Sequence, residues 1–214
     1  MMLPKSSMDL TIVVARYNED ICWLEDLPPD ILKCVLIYNK GDPVKIPDLN
    51  VVTVCNVGRE SHSYLTHIVD NYEHLSNNII FIQANPFQHV HRPPIANMEE
   101  WVRDWTSVEL TTNYEPVCDP YTFRIKEYSG EKQALSPTCF GKWFETYINR
   151  KFPDYTTMRW YYGACFGTCR ERILCRSKVY YQRLLDQVST HRSPEVGHYL
   201  ERSWYYIFSC RPEP

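Results

Sequence analysis

Four short runs of continuously apolar residues punctuate the first 85 positions, and they limit what the chain can fold into. The runs are Leu10-Thr-Ile-Val-Val-Ala15, Cys34-Val-Leu-Ile-Tyr38, Val51-Val-Thr-Val-Cys55 and Asn78-Ile-Ile-Phe-Ile82. A strand with one wet face alternates apolar and polar residues, whereas a strand covered on both faces does not. All four therefore read as strands of a parallel sheet sandwiched between helices. Between the third and fourth runs, Tyr64, Leu65, Ile68, Val69 and Tyr72 recur at helical spacing, with His62, Ser63, Thr66, Asp70 and Asn71 opposite them. A shorter helix, Ile21 to Leu27, follows the first run and ends before Pro28-Pro29. The order β-α-β-β-α-β predicts an α/β fold with a mostly parallel central sheet.

The rhythm fails over residues 86–138, which hold six of the fifteen prolines and scattered aromatics. Trp101 and Trp105, one helical turn apart, predict a short helix over 97–108 inside an irregular insertion packed beside the sheet. Helical spacing returns at Phe140 to Ile148. Arg159 to Thr168 reads as a strand, and Arg170 to Val188 as one helix. A last helix has Ser193 as N-cap, Pro194 in the first helical position and Glu195 in the first turn. Its apolar stripe is Val196, Leu200, Trp204 and Ile207. The chain reads as a single domain: a ligand-binding half over 10–89, the insertion over 90–138 and a second half over 139–210.

Composition removes several function classes. Hydrophobic residues at 44% and charged residues at 23% describe a globular chain rather than a disordered one. A net charge of −3 argues against a general nucleic-acid binder, though not against a local basic pocket. The nine cysteines contain no CxxC pair, which argues against a zinc site and predicts free thiols. Cys165 has no histidine placed near it by sequence, so a nucleophilic role is set aside for a buried structural thiol. The start MMLPKSSMDL lacks an apolar signal core, and no apolar run approaches the roughly 20 residues of a membrane span. The expectation is a cytoplasmic protein with no membrane span and no nucleic-acid partner.

In parallel sheets, ligands bind beyond the carboxyl ends of the strands. The segments there are Arg16-Tyr17-Asn18-Glu19-Asp20, Asn39-Lys40-Gly41-Asp42, Asn56-Val57-Gly58-Arg59-Glu60-Ser61-His62 and Gln83-Ala84-Asn85-Pro86-Phe87-Gln88-His89. Four polar segments on one rim point to a polar ligand with anionic groups. In the third, Gly58 permits a tight turn, the following helix offers free N–H groups, and Arg59 brings a fork suited to phosphate. The plainer alternative is a surface ion pair between Arg59 and Glu60.

The segments VVARYNEDICWL, IYNKG, NVGRESHSYLTHIVDNY, FIQANPFQH and GHYLERSWYYIF together resemble an uncharacterised domain family of large DNA viruses, fungi and bacteria. That family in turn resembles glycosyltransferases of the GT-A (Rossmann-like) fold. The resemblance spans most of 10–89 and 159–208. It implies transfer of a sugar from a nucleotide-diphosphate sugar, by default a uridine nucleotide, to a hydroxyl of a glycan or glycoprotein acceptor. For a viral protein it implies the host cytoplasm and capsid glycans. It places Arg16, Tyr17, Asn18, Glu19, Asn56, Gly58 and Arg59 along the nucleotide. Lys40, Arg59, His89, His91 and Arg92 are available to offset diphosphate charge. Gln83-Ala84-Asn85 falls where such enzymes carry Asp-x-Asp on a divalent metal. Two amides in place of two carboxylates disfavour a Mn²⁺ or Mg²⁺ cofactor, and no metal ligands are predicted.

His198 and Glu201 share a helical face beside Trp204 and Tyr205. Burial among aromatics tunes a carboxylate toward general-base work. By resemblance, Glu201 is the first choice of base and Glu195 the second, with His198 beside them. The alternative is an ion pair that fastens the helix. Trp160, Tyr161 and Tyr162, flanked by Trp101 and Trp105, are candidates to line an acceptor cleft. Two rival functions remain: a non-catalytic nucleotide-sugar or glycan binding module, and a purely structural interaction domain.

Overall fold

A computed structural model of the chain describes residues 9–44, 46–47, 49–86, 113–115, 119–154, 158–160 and 162–209. The four apolar runs form strands β1 (Leu10–Arg16), β2 (Val35–Asn39), β3 (Asn50–Thr53) and β4 (Asn78–Gln83). They lie parallel in the order β3-β2-β1-β4, and β9 (Phe166–Cys169) closes the sheet antiparallel to β4. The fold is α/β, with a mostly parallel mixed sheet flanked by helices.

The side chains of β1 explain why its sequence does not alternate. Val13 and Ala15 enter one core with Tyr64, Leu65 and Ile68 of helix α2 (Arg59–Asp70). Leu10, Ile12 and Val14 enter a second core on the opposite face, with Leu24, Leu27, Ile31 and Cys165. The first core continues into α3 (Phe140–Tyr147), α5 (Lys178–Asp186), α6 (Glu195–Glu201) and α7 (Trp204–Phe208). The second is closed by a 3-10 turn at Cys22–Asp26 and by the short helix α1 (Pro29–Leu32). Pro28-Pro29 ends the first turn as expected, but Pro29 also opens α1, because its fixed φ suits a first helical position.

Several expectations are corrected. β3 is exposed along its whole length, not covered on both faces, because it forms the edge of the sheet. The stretch 159–168 is not one strand. β8 (Met158–Trp160) pairs with β5 (Asn113–Glu115), β9 pairs with β4, and Gly163 and Ala164 separate them at φ 66° and 51°. Two successive left-handed residues reverse a chain that extended residues would carry straight on. The helix read over 170–188 is two: α4 (Arg170–Leu174) and α5, the latter capped by Ser177 Oγ accepting from Tyr180 N at 3.3 Å. The final stripe also divides, between α6 and α7, where Ser203 Oγ donates to Tyr199 O at 2.6 Å. Pro194 is the N-cap of α6, and Ser193 Oγ donates instead to Glu131 at 2.7 Å. Cys22, Cys34, Cys55, Cys139, Cys165 and Cys169 are free thiols, but Cys175 is in a disulfide. The helix expected over 97–108 lies outside the described residues. No described helix is long and apolar enough to cross a membrane.

The described part of the insertion is sewn to the start of α6. Ala134 N donates to Ser193 O at 2.9 Å, and Glu195 N to Ala134 O at 2.8 Å. A two-residue turn at Ser129-Gly130, with φ 51° and 77°, joins β6 (Glu127–Tyr128) to β7 (Glu131–Lys132). Two positive φ values match the natural twist of such a hairpin.

On α2, His67 faces the sheet, 4% exposed, with Nδ1 3.2 Å from Tyr38 Oη and Nε2 without a hydrogen-bond partner among the described residues. Burial lowers its pKa from 6.5 to about 4. Between those values the unfolded chain binds a proton that the folded chain refuses, so stability falls as pH falls. A change of that size is worth about 3 kcal/mol. Urea titrations of wild type and H67F over this pH window should show a steeper loss in the wild type. Equal slopes would remove His67 from acid sensitivity.

Candidate functional site

The strand order reverses between β1 and β4, since β2 and β3 lie to one side of β1 and β4 to the other. Such a reversal of strand order opens a crevice at the carboxyl ends of the strands. A cavity of about 350 Å³ occupies it. Ala15, Arg16, Tyr17 and Glu19 contribute from the end of β1, Lys40 from β2, Asn56 from beyond β3 and Gln83 from β4. Arg59 and Glu60 reach it from the first turn of α2. Glu131, Arg192 and Ser193 wall its far side. Its volume is at the lower end of small-ligand sites.

The cations differ in what they already hold. Arg16 Nη1 donates to Asn39 Oδ1 at 2.7 Å and to Asp42 O at 3.0 Å, while its Nε donates to Glu19 O at 3.1 Å. It ties the β1 and β2 loops together. Lys40 Nζ donates to Val57 O at 2.5 Å and to Arg59 O, bracing the turn before α2. Burial lowers the Lys40 pKa from 10.5 to about 8, with Glu60 opposing the shift. Arg192 pairs with Glu131.

Arg59 is held differently. Its backbone is left-handed at φ 51°, directly after Gly58 at φ 64°, a conformation that costs a side-chain-bearing residue about 1 kcal/mol or more. A Cβ on Gly58 would stand 2.3 Å from Val188 O, so only glycine fits there. The guanidinium lies 5.0 Å from the Tyr128 ring centroid, and Nη1 donates to His198 Nε2 at 3.3 Å. A guanidinium only donates, so His198 Nε2 is the acceptor and its proton sits on Nδ1. That nitrogen faces Glu201 Oε2 at 3.9 Å. Tyr128 also covers the His198 ring, with centroids 4.8 Å apart. Arg59 on the cavity wall is thus hydrogen-bonded to His198 beneath the hairpin, and Glu201 stands behind His198, beyond hydrogen-bonding distance.

At the other side, Gln83 Nε2 donates to Gly163 O at 2.6 Å, and the Cys165 thiol donates to the same carbonyl at 3.3 Å. Burial pushes the Cys165 thiol up to about 12, which suits a structural group and not a nucleophile.

Of the residues expected from sequence to border the ligand, Arg16, Tyr17, Glu19, Lys40, Asn56, Arg59 and Gln83 line the cavity. Asn18, Gly58 and Asn85 do not line it. Asn18 Oδ1 accepts from Asp42 N at 2.8 Å, and Gly58 N donates to His191 O at 2.8 Å. His89, His91 and Arg92 lie outside the described residues, as do Tyr161, Trp101, Trp105 and the Tyr162 side chain. Trp160 is buried, with the Arg202 guanidinium 4.6 Å from its ring centroid. His198 and Glu201 approach the cavity through Arg59. Glu195 is brought elsewhere: fully buried, it accepts from Arg124 Nε at 3.0 Å and Nη2 at 2.8 Å, Ile125 N at 2.7 Å and Ser136 N at 2.9 Å. Sequence reasoning missed Glu60, Glu131, Arg192 and Ser193. The signal for Glu60 is present in the sequence as an acid in the first turn after Gly58, where a surface ion pair with Arg59 is the plainer alternative. The Glu131–Arg192 pair is 61 positions apart and leaves no local trace.

The donor set at the end of β4 does not fit a divalent cation. Gln83 and Asn85 are neutral amides, and the Gln83 amide nitrogen is committed to Gly163 O. Among the described residues, no three His, Cys, Asp or Glu side chains converge on one point. No curated protein and no solved structure matches the chain. The sequence does match the family described as "Protein of unknown function (DUF3431)" over residues 12–213, nearly its full length, and the chain belongs to that family.

Proposed function

We propose that this protein is a glycosyltransferase of GT-A-like architecture. It would move a sugar from a nucleotide-diphosphate sugar, a uridine nucleotide by family habit, to a hydroxyl of a glycan or glycoprotein. The observation that carries the reading is the cavity at the β1/β4 switch point, which Arg16, Lys40 and Arg59 reach from three separate loops. A parallel sheet offers such a crevice to nucleotides. Cationic groups there offset the charge that grows on a departing diphosphate, so the donor set needs no metal for that task. Arg59 is the leading group for the diphosphate, because its side chain takes up an imidazole nitrogen and not a backbone carbonyl.

Thermal unfolding with a panel of nucleoside diphosphates tests the reading. A ligand at a hundred times its Kd adds about 2.7 kcal/mol, which raises Tm by roughly 5–10 °C in a chain of this size. R59A should weaken binding about 10- to 100-fold, the loss of one hydrogen bond to a charged group. Release of free nucleoside diphosphate from the matching sugar donor, undiminished by a chelator, completes the test. No shift with any nucleotide would overturn the reading. A second reading, a non-catalytic nucleotide-sugar binding module, is favoured by the amides at the end of β4. A thermal shift without nucleotide release would select it.

A further inference from the structure

Among the described residues, three carboxylates reach the cavity, and two of them are occupied. Glu19 Oε2 accepts from Tyr17 N at 2.7 Å, and Glu131 accepts from Arg192 and Ser193. Glu60 is different. Among the described residues its nearest cation is Arg59, with Nε 3.9 Å from Oε2, beyond hydrogen-bonding distance, and its side chain is only 13% exposed. It sits in the first turn of the 12-residue helix α2, where the backbone dipole favours a negative charge. One turn further along the same face, the Tyr64 hydroxyl is fully buried and has no hydrogen-bond partner among the described residues.

We propose that Glu60 is the carboxylate that takes the proton from the acceptor hydroxyl in this cavity. This rests on the transfer reading above. In an inverting displacement, the hydroxyl proton passes to a Glu60 carboxylate oxygen, and the acceptor oxygen forms its new bond to the anomeric carbon. The bond from that carbon to the diphosphate oxygen breaks, and its electron pair leaves on the nucleoside diphosphate. The proton then leaves Glu60 for water at the cavity mouth. Glu201 acts as a positioning residue, setting the field at Glu60 without lining the cavity.

The surroundings suit this role. The charged and titratable groups around Glu60 are Lys40 from the end of β2, Arg59 and Tyr64 from α2, Glu201 from α6 and Cys165 from the turn before β9. Burial pushes the Glu60 carboxyl above the usual carboxylate range; Arg59, the residue's own backbone N–H and Lys40 oppose the shift and Glu201 adds to it. A base that titrates closer to neutrality is more effective at the pH where the enzyme works.

The test compares wild type, E60Q, E60A and E201Q by nucleotide release across about pH 5 to 9, with the donor-induced thermal shift measured alongside. E60Q should lower kcat by roughly 10²- to 10⁴-fold, leaving the donor KM and the thermal shift within a few-fold of wild type. Added formate should restore part of the turnover of E60A, which a merely structural role would not allow. E201Q should stay active but move the acid limb of its pH profile to lower pH, because removing a nearby negative charge eases ionisation of Glu60. Turnover by E60Q within threefold of wild type overturns the assignment and leaves the transfer reading standing. A wild type that binds nucleotides but releases none from any sugar donor overturns both.

Discussion

Glu195→Ala is expected to lower the free energy of unfolding by about 3–5 kcal/mol, the usual loss when one partner of a buried ion pair is removed. Glu195 is 0% exposed, and its carboxylate gathers Arg124, Ile125 N and Ser136 N. The substitution leaves two backbone N–H groups without their acceptor and takes the carboxylate from the Arg124 guanidinium, which keeps only its bond to Ser136 O. The same residues join the insertion to the start of α6, so the loss should be cooperative and appear in urea as a lower midpoint with an unchanged slope. R124M removes the guanidinium but keeps the stem, and E195A with R124M should cost less than the two separate losses combined. A fall of under about 1 kcal/mol in E195A would place this junction outside the cooperative unit.

Gly41→Ala is the second large expected effect, and it acts on both stability and binding. A Cβ at residue 41 would stand 1.8 Å from Tyr17 O and 2.1 Å from Asn18 Oδ1. The first of these is backbone, so no rotamer change relieves it. The β1 and β2 loops must separate, and the Asp42 N–Asn18 bond at 2.8 Å and the Arg16–Asp42 bond at 3.0 Å separate with them. Overpacking at about 1–3 kcal/mol plus two hydrogen bonds at about 1 kcal/mol each gives a loss of roughly 3–5 kcal/mol. Because Arg16 and Tyr17 line the cavity, nucleotide binding should fall even at temperatures where G41A is fully folded. Calorimetric titration of folded G41A checks this, and wild-type affinity would mean that these loops do not shape the ligand site.

The two faces of β1 and β4 were legible because burial on both sides writes itself into a continuous apolar run. Composition does not say where in a sheet a strand lies, so Val51-Val52 read as covered although β3 is the edge. The break between β8 and β9 was present in the sequence as Gly163, since a glycine inside an apolar run marks a bend. The break between α4 and α5 was present likewise as Ser177. The rim of the cavity was readable because it follows directly from strand ends. Its far wall was not. Arg59 and His198 lie 139 positions apart, and Glu131 and Arg192 lie 61 apart, and only the folded chain brings such pairs together. Glu195 shows the same limit. An acid in a first helical turn reads as a dipole partner or a catalyst, and nothing near it in sequence announces Arg124.

The hairpin of Glu127–Tyr128 and Glu131–Lys132 leans its Tyr128 ring on Arg59 and His198, yet contributes no strand to the five-stranded sheet. Evolution can therefore lengthen, trim or recolour this flap while the sheet and its strand ends stay as they are. Relatives of this chain would then diverge at this wall of the cavity before they diverge at its rim of strand ends.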